Sequence, residues 1–282
     1  MITVARHPAG VSTARLYMLA IAASPTCRAE IPATRKRPPA LEIAWATHHD
    51  EVRQAQRLRY RVFVDEMGAK IDVPPGTPPG LDVDRFDDAC EHLLVRTPAS
   101  GGSPAEVVGT YRVLTPAGAR RTGGLYTESE FDIRRLDALR PRMAELGRSC
   151  TAPEWRRGSV MLLLWSALGE FMERTGLDYM IGCASIPMQD GGQQAASLWQ
   201  ALRATHLCEP QFRVLPRRPL ALDGVEVQTQ AEPPALIKGY LRCGGKVLGA
   251  PAHDPDFGVA DLPMMLSLAD LPSAYRARFI GH

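Results

Sequence analysis

Apolar residues recur at helical spacing over residues 51–67, where Val52, Ala55, Leu58, Val62, Phe63 and Met67 mark one broad face. Asp50 stands where an N-cap belongs and Gly68 supplies a stop, so the pattern predicts a helix there. A short, weakly alternating run at Leu41–Thr47 predicts a strand before it. Pro, Gly and Asp crowd residues 72–90, which read as a loop. Two apolar runs, His92–Arg96 and Val107–Thr115, flank a Gly/Ser/Pro turn at 98–104 and predict an antiparallel hairpin.

Residues 116–142 are a long polar connection with a short helix expected near 132–140, and Ala144–Cys150 is the next expected strand. From Ser159 the period returns to helical, with Met161–Trp165, Leu168 and Phe171 as core and Gly176 as the stop. A buried strand is expected at Tyr179–Ser185, a helix at Gln193–His206, and irregular Pro-rich chain at 207–235. The short apolar run Leu236–Leu241 reads as a late strand. A Gly-rich turn, a last strand through Met265 and a short helix over Leu271–Ile280 complete the pattern. This order predicts one α/β (α+β) domain over residues 41–282, a twisted mixed sheet flanked by helices.

Charge changes the picture at one end. Residues 1–40 hold Arg6, Arg15, Arg28, Arg35, Lys36 and Arg37 against Glu30, so that segment is +5 while the remainder is −3. It reads as a flexible basic N-terminal extension, and the body of the chain is no nucleic-acid binder. Six cysteines without paired spacing argue against a zinc site or a disulfide framework and suit a reducing cytoplasm. No run approaches the ~20 apolar residues of a membrane span.

Candidate chemistry concentrates in five places. Arg156, Arg157, Gly158 and Ser159 precede a helix start, where free N–H groups and the positive dipole end make an anion site. Glu145 and Arg148 differ by an odd step, so on a regular strand they point to opposite faces; a bulge, with Gly147 as the natural residue for it, would alter that. The pair is then either an ion pair of the sheet or a proton acceptor with its partner. Asp84 and Asp87 are turn formers, or carboxylates for the ammonium groups of a basic amino acid. Arg112 lies in an otherwise apolar strand and needs a carboxylate partner, whether for structure or for holding a substrate carboxylate. Arg59 and Arg61 cannot share a helix face, so one at most binds substrate. Residues 134–157 carry a net +4, a surface fit for an acidic carrier protein.

Four of these segments together resemble the autoinducer-synthase-like branch of the N-acetyltransferase superfamily. They are Arg59-Tyr60-Arg61-Val62-Phe63, Asp84-Arg85-Phe86-Asp87, Gly109-Thr110-Tyr111-Arg112-Val113-Leu114 and Glu145-Leu146-Gly147-Arg148. The surrounding wording is more similar to the L-ornithine Nα-acyltransferases of ornithine-lipid synthesis. It includes Glu66-Met67-Gly68-Ala69, Ile181-Gly182-Cys183-Ala184-Ser185 and Ile237-Lys238-Gly239-Tyr240-Leu241-Arg242. The resemblance covers about residues 50–280. It implies the acyl-CoA N-acyltransferase-like (GNAT) fold, with a splayed strand pair at 145–150. It further implies transfer of a 3-hydroxyacyl group from the phosphopantetheine of acyl carrier protein to L-ornithine, with no resident cofactor and no metal. Under it Glu145 and Arg148 are catalytic, and Arg59, Asp84, Asp87 and Arg112 bind the amino acid. Arg156, Arg157, Gly158 and Ser159 hold the pantetheine phosphate, and the fatty chain brings peripheral membrane contact. Acyl-homoserine lactone synthesis is the alternative activity, and a non-catalytic membrane-active protein a further one.

Overall fold

Leu93, Leu94 and Val95 have no exposed surface, and every residue of Val107–Leu114 is buried. Strands covered on both faces explain why this hairpin reads as nearly continuous apolar sequence. The computed structural model describes residues 40–279 apart from 101, 103, 157–158, 222–223 and 229–230. The basic extension expected at 1–40 therefore lies outside the described residues, save residue 40.

In chain order the elements are β1 (Glu42–Trp45), α1 (His49–Tyr60), β2 (Glu91–Arg96), β3 (Val107–Leu114), α2 (Pro116–Thr122) and α3 (Thr127–Glu130). There follow β4 (Phe131–Asp132), β5 (Met143–Thr151), α4 (Val160–Thr175), β6 (Tyr179–Pro187) and α5 (Gln193–Thr205). The chain ends with β7 (Leu215–Pro216), α6 (Ala235–Arg242), β8 (Lys246–Val247), β9 (Ala252–Asp254), β10 (Val259–Ser267) and α7 (Ser273–Phe279). The main sheet runs β1-β2-β3-β5-β6-β10-β8, with β9 also on β10. Its pairs are antiparallel except β5–β6, which is parallel. α1 packs on the face of β3 that carries Arg112, and α4 on the opposite face, where Val160 and Leu164 press on Gly109.

Three local expectations need correction. Leu236–Leu241 is not a strand but helix α6, because Leu236, Ile237, Tyr240 and Leu241 repeat at helical spacing after Pro234, a pattern a short apolar run disguises. The first helix leaves α geometry at Arg61 for a wider turn, with Met67 N–H bonded back to the Val62 carbonyl at 3.1 Å. Such widened turns rotate the side chains that follow, and Val62, Phe63 and Met67 all line the central cavity. Near 132–140 there are only short 3₁₀ turns at Arg134–Leu136 and Arg140–Arg142; the helices of this connection are α2 and α3.

Candidate active site

β5 and β6 pair only at Met143–Tyr179, Ala144–Met180 and Glu145–Ile181, then part. The pivot is Gly182, where an added Cβ would lie 2.4 Å from the Leu146 carbonyl oxygen, so the strands touch there only because no side chain intervenes. Beyond it, Leu146 through Thr151 line a cavity of about 350 Å³ between the two strands. Against β3 the register of β5 slips between Thr110–Cys150 and Arg112–Gly147, leaving Arg148 and Ser149 opposite Tyr111. The bulge therefore sits one residue beyond the expected Gly147. Arg148 takes φ of 50°, alone among described non-glycine residues in the left-handed region, a strain of about 1–3 kcal/mol.

Register sorts the cavity walls. Arg112, Glu145, Ile181, Cys183, Ser185 and Asp261 share one face, since opposed residues and alternate positions point the same way. Leu146, Met180, Met264 and Leu266 belong to the other, beside Tyr240 of α6, which stacks on Trp165 of α4 at 5.6 Å between ring centroids. One wall is polar and the other apolar.

Most of the expected charges meet in a single lattice. Arg59, with no exposed surface, donates to Asp82 at 2.8 Å and through both terminal nitrogens to Asp87 at 2.9 and 2.8 Å. Arg112 donates to Asp84 at 2.6 Å and Asp87 at 2.9 Å. Arg148 closes the lattice at 3.3 Å from Asp82 and 3.4 Å from Asp84. Burial pushes the Asp87 carboxyl up, but Arg59 and Arg112 overcome it and hold the group well below its ordinary range. His92, the Nε2 of which lies 3.0 Å from the Asp87 carbonyl oxygen, and Gln56, donating to Asp87 at 3.1 Å, finish the shell. Of the four residues expected to bind the amino acid, only Arg112 lines the cavity; Arg59, Asp84 and Asp87 do not. Asp82 was missed by sequence reasoning, although its two-residue offset from Asp84 was visible. Arg148 faces outward from the lattice, with its guanidinium over the rings of Phe257 at 4.7 Å and Tyr126 at 5.6 Å.

Glu145 accepts from the backbone N–H groups of Tyr126 at 2.7 Å and Thr127 at 2.6 Å, and from the Thr127 hydroxyl. It thus receives the N–H groups where α3 starts. Burial raises its pKa, and these hydrogen bonds together with Arg112 hold it back. Cys90, Cys150 and Cys183 also line the cavity, and burial pushes all three thiols up, the first two to about 12. None is poised as a thiolate nucleophile.

At the expected anion turn, Arg156 reaches the cavity rim and forms a two-pronged pair with Glu66 at 2.6 and 2.6 Å. Ser159 is exposed and its side chain makes no capping bond to α4. Arg157 and Gly158 lie outside the described residues. Sequence reasoning also missed an acidic end of the cavity. Asp261 of β10 accepts from Ser185 of β6 at 2.7 Å, and Asp254 of β9 lies near it. Nothing near Asp254 or Asp261 in sequence announces them; only the β9–β10 and β6–β10 pairings bring them to the cavity.

The profile of the acetyltransferase (GNAT) domain matches residues 58–166, which hold α1 from Leu58, the lattice and the splayed strand. An L-ornithine N(alpha)-acyltransferase of Brucella abortus is 35% identical over 83% of this chain and 87% of that protein. One from Rhizobium meliloti is 34% identical over 83% of this chain and 82% of that one. The chain belongs to the L-ornithine N(alpha)-acyltransferase family. The expected GNAT-type fold is thereby shown, as is an acyltransferase activity class. Among solved structures the AHL synthase LasI is similar with a TM-score of 0.48 and 13% identity, over 86% of this chain and 94% of that one. Among the described residues no helix of this acyltransferase is long and apolar enough to cross a membrane.

Proposed function

We propose that this acyltransferase moves a 3-hydroxyacyl group from acyl carrier protein to the α-amine of L-ornithine, giving lyso-ornithine lipid. The observation that carries the reading is the opened β5–β6 edge beside Glu145, in a chain whose relatives are L-ornithine N(alpha)-acyltransferases. A pantetheine arm fits between parted strands as a pseudo-strand. Its phosphate would lie at the start of α4, with Arg156, Arg157, Gly158 and Ser159. The fatty chain would follow the apolar wall of Leu146, Met180 and Leu266 toward Tyr240 and Trp165.

The amine attacks the thioester carbonyl carbon, its proton passes to Glu145 directly or through water, the carbon–sulfur bond breaks, and the departing thiolate takes that proton back, directly or through water, to leave as the carrier thiol. A carboxylate with a raised pKa is the better base for this step. Arg112 and Arg148, on the same wall, hold the amino acid's carboxylate. The protonated cysteines favour direct transfer over an acyl-enzyme. The proposed setting is the cytoplasm, with the product meeting the membrane surface; the five described cysteines are all free thiols.

The test is a purified reaction with 3-hydroxyacyl-acyl carrier protein and L-ornithine, read by mass spectrometry. The expected product is the Nα-amide with stoichiometric carrier thiol. Consumption of S-adenosylmethionine with release of a lactone would replace the acceptor assignment.

A further inference from the structure

The acidic end of the cavity is built unlike the arginine–aspartate lattice. Asp261 is 2% exposed and Asp254 7%, and both line the cavity. Neither makes an ion pair among the described residues. Asp261 Oδ1 accepts from Ser185 Oγ, and its Oδ2 meets no donor there. Asp254 Oδ1 is taken by the N–H groups of Asp256 and Phe257 at 3.0 and 3.1 Å, while Oδ2 faces the Tyr126 hydroxyl at a loose 3.4 Å. Glu130 adds a third negative charge nearby, and Arg148 is the cation felt at Asp261. A buried carboxylate normally finds a cation or gives up its charge. Here no cation among the described residues is paired with Asp261, and its free carboxylate oxygen borders a ligand-sized space where a bound cation would keep it ionised.

We propose that Asp261, with Asp254, is the site for the side-chain ammonium of a diamino-acid acceptor. This rests on the acylation reading above and deepens it by naming what selects a cationic side chain. The placement fits. Tyr126 donates its backbone N–H to Glu145 at one end and its hydroxyl to Asp254 at the other, so one tyrosine reaches from Glu145 to the carboxylate beside Asp261. Ornithine from α-nitrogen to δ-nitrogen is shorter than a tyrosine from backbone nitrogen to phenol oxygen. The two lengths are of the same order, so a diamino acid is sized for the space between Glu145 and the acidic end. The α-amine then lies beside Glu145 and the parted strands, and the δ-ammonium on the oxygen that lacks a donor. Asp84 and Asp87, the carboxylates legible in the sequence, are already spent on arginines.

The test compares ornithine with norvaline, which lacks only the δ-amine, using one acyl carrier donor throughout. Wild type should prefer ornithine strongly. Asp261→Asn should raise the KM for ornithine about 10- to 100-fold, the range for a hydrogen bond to a charged group. It should leave donor KM unchanged and erase the preference over norvaline. Asp254→Asn should act in the same direction, which keeps the test alive if the first variant folds poorly. Asp261→Glu keeps the charge one methylene further into the cavity and should shift preference toward 2,4-diaminobutyrate, which a purely structural aspartate would not do. Ornithine preference retained in both Asn variants overturns this proposal alone. A wild-type protein that acylates norvaline and ornithine equally also overturns it. One that acylates no amino acid removes the underlying reading as well.

Discussion

Two groups of carboxylates, all buried but the half-buried Asp84, stand on one side of the sheet, and the fold treats them in opposite ways. Asp82, Asp84 and Asp87 are matched one for one by Arg59, Arg112 and Arg148, with nearly every oxygen accounted for. Asp254 and Asp261 have no arginine or lysine within pairing distance among the described residues, and they face the cavity. Burial pushes both groups up; at Asp87 the arginines overcome it and hold the carboxyl below its ordinary range, whereas Asp261 is left raised to about 7. The first arrangement fixes the loop at 82–87 against α1 and β3. The second leaves an electrostatic demand that a bound cation can answer. Compensated charge fixes the loop and sets Arg112 and Arg148 along the cavity wall, whereas uncompensated charge reads as a place kept for a cationic ligand group.

The sharpest way to break that contrast is to remove a cation from the lattice. Arg59→Met should cost about 3–5 kcal/mol, because it leaves Asp82 and Asp87 buried with too little positive charge. Urea unfolding measures this directly. A variant that stays within 1 kcal/mol of wild type and loses only ornithine affinity would return Arg59 to the substrate site that the sequence suggests.

Glu145→Gln tests the catalytic side. The amide keeps one acceptor oxygen for the start of α3 but presents an NH₂ group to other N–H donors, so a stability loss of ~1–3 kcal/mol is expected. Turnover should fall further, by about 100-fold or more, as the loss of a general base does. Near-wild-type turnover in the folded variant would reduce Glu145 to a helix-start acceptor.

The two carboxylate groups should also respond oppositely to pH. Asp261 titrates near 7 in the folded protein and at its ordinary 3.8 when unfolded. Its proton therefore stabilises the fold fully below about pH 4, and that stability is lost as pH rises through 7. Burial is the main cause, with Asp254 and Glu130 adding to it, and Ser185 and Arg148 opposing. Asp87 runs the other way, contributing above its unfolded value and losing that contribution in acid. Relative to Asp261→Asn, wild type should lose up to a few kcal/mol between pH 4 and 8. Ornithine KM should fall over the same range as the carboxylate ionises. Parallel pH curves for the two proteins would mean that Asp261 is ionised throughout.

What the sequence made legible follows from where each signal lives. Helical periodicity exposed α1, α4 and α5, and apolar runs exposed β2, β3, β5 and β6, because burial of one face is written locally. The wide turn after Tyr60 and helix α6 escaped, since five or six apolar residues do not declare a period. At the site, Arg59, Arg112, Asp84, Asp87, Glu145 and Arg148 were all singled out, and the fold brings them together. Their division of labour was not legible. Whether an arginine serves an aspartate or a ligand depends on three-dimensional partners such as Asp82, 23 positions from Arg59. Asp254 and Asp261 carried no local signal at all, because their meaning comes from being left unpaired.

The smallest expected effect lies at the rim and sharpens the same distinction. Arg156 pairs with Glu66, but both side chains are well exposed, at 44% and 38%. An ion pair of that kind contributes ~0–1 kcal/mol, so neither Arg156→Glu nor Glu66→Gln should move stability measurably. Their functional effects should differ. Arg156→Glu places a negative charge at the start of α4, where it suits the helix dipole but repels the proposed phosphate and competes with it for the same positive end. Donor KM should rise a few-fold while ornithine KM stays put. Glu66→Gln frees the guanidinium, so donor KM should hold or fall slightly. Because exposed charges are screened beyond ~10 Å at 0.1 M salt, the gap between the variants should shrink as ionic strength rises. Paired KM series at two salt concentrations decide the matter. If both variants keep wild-type donor KM at low salt, then Arg156 is compensated in function as well as in geometry, and it belongs with the lattice rather than with the site.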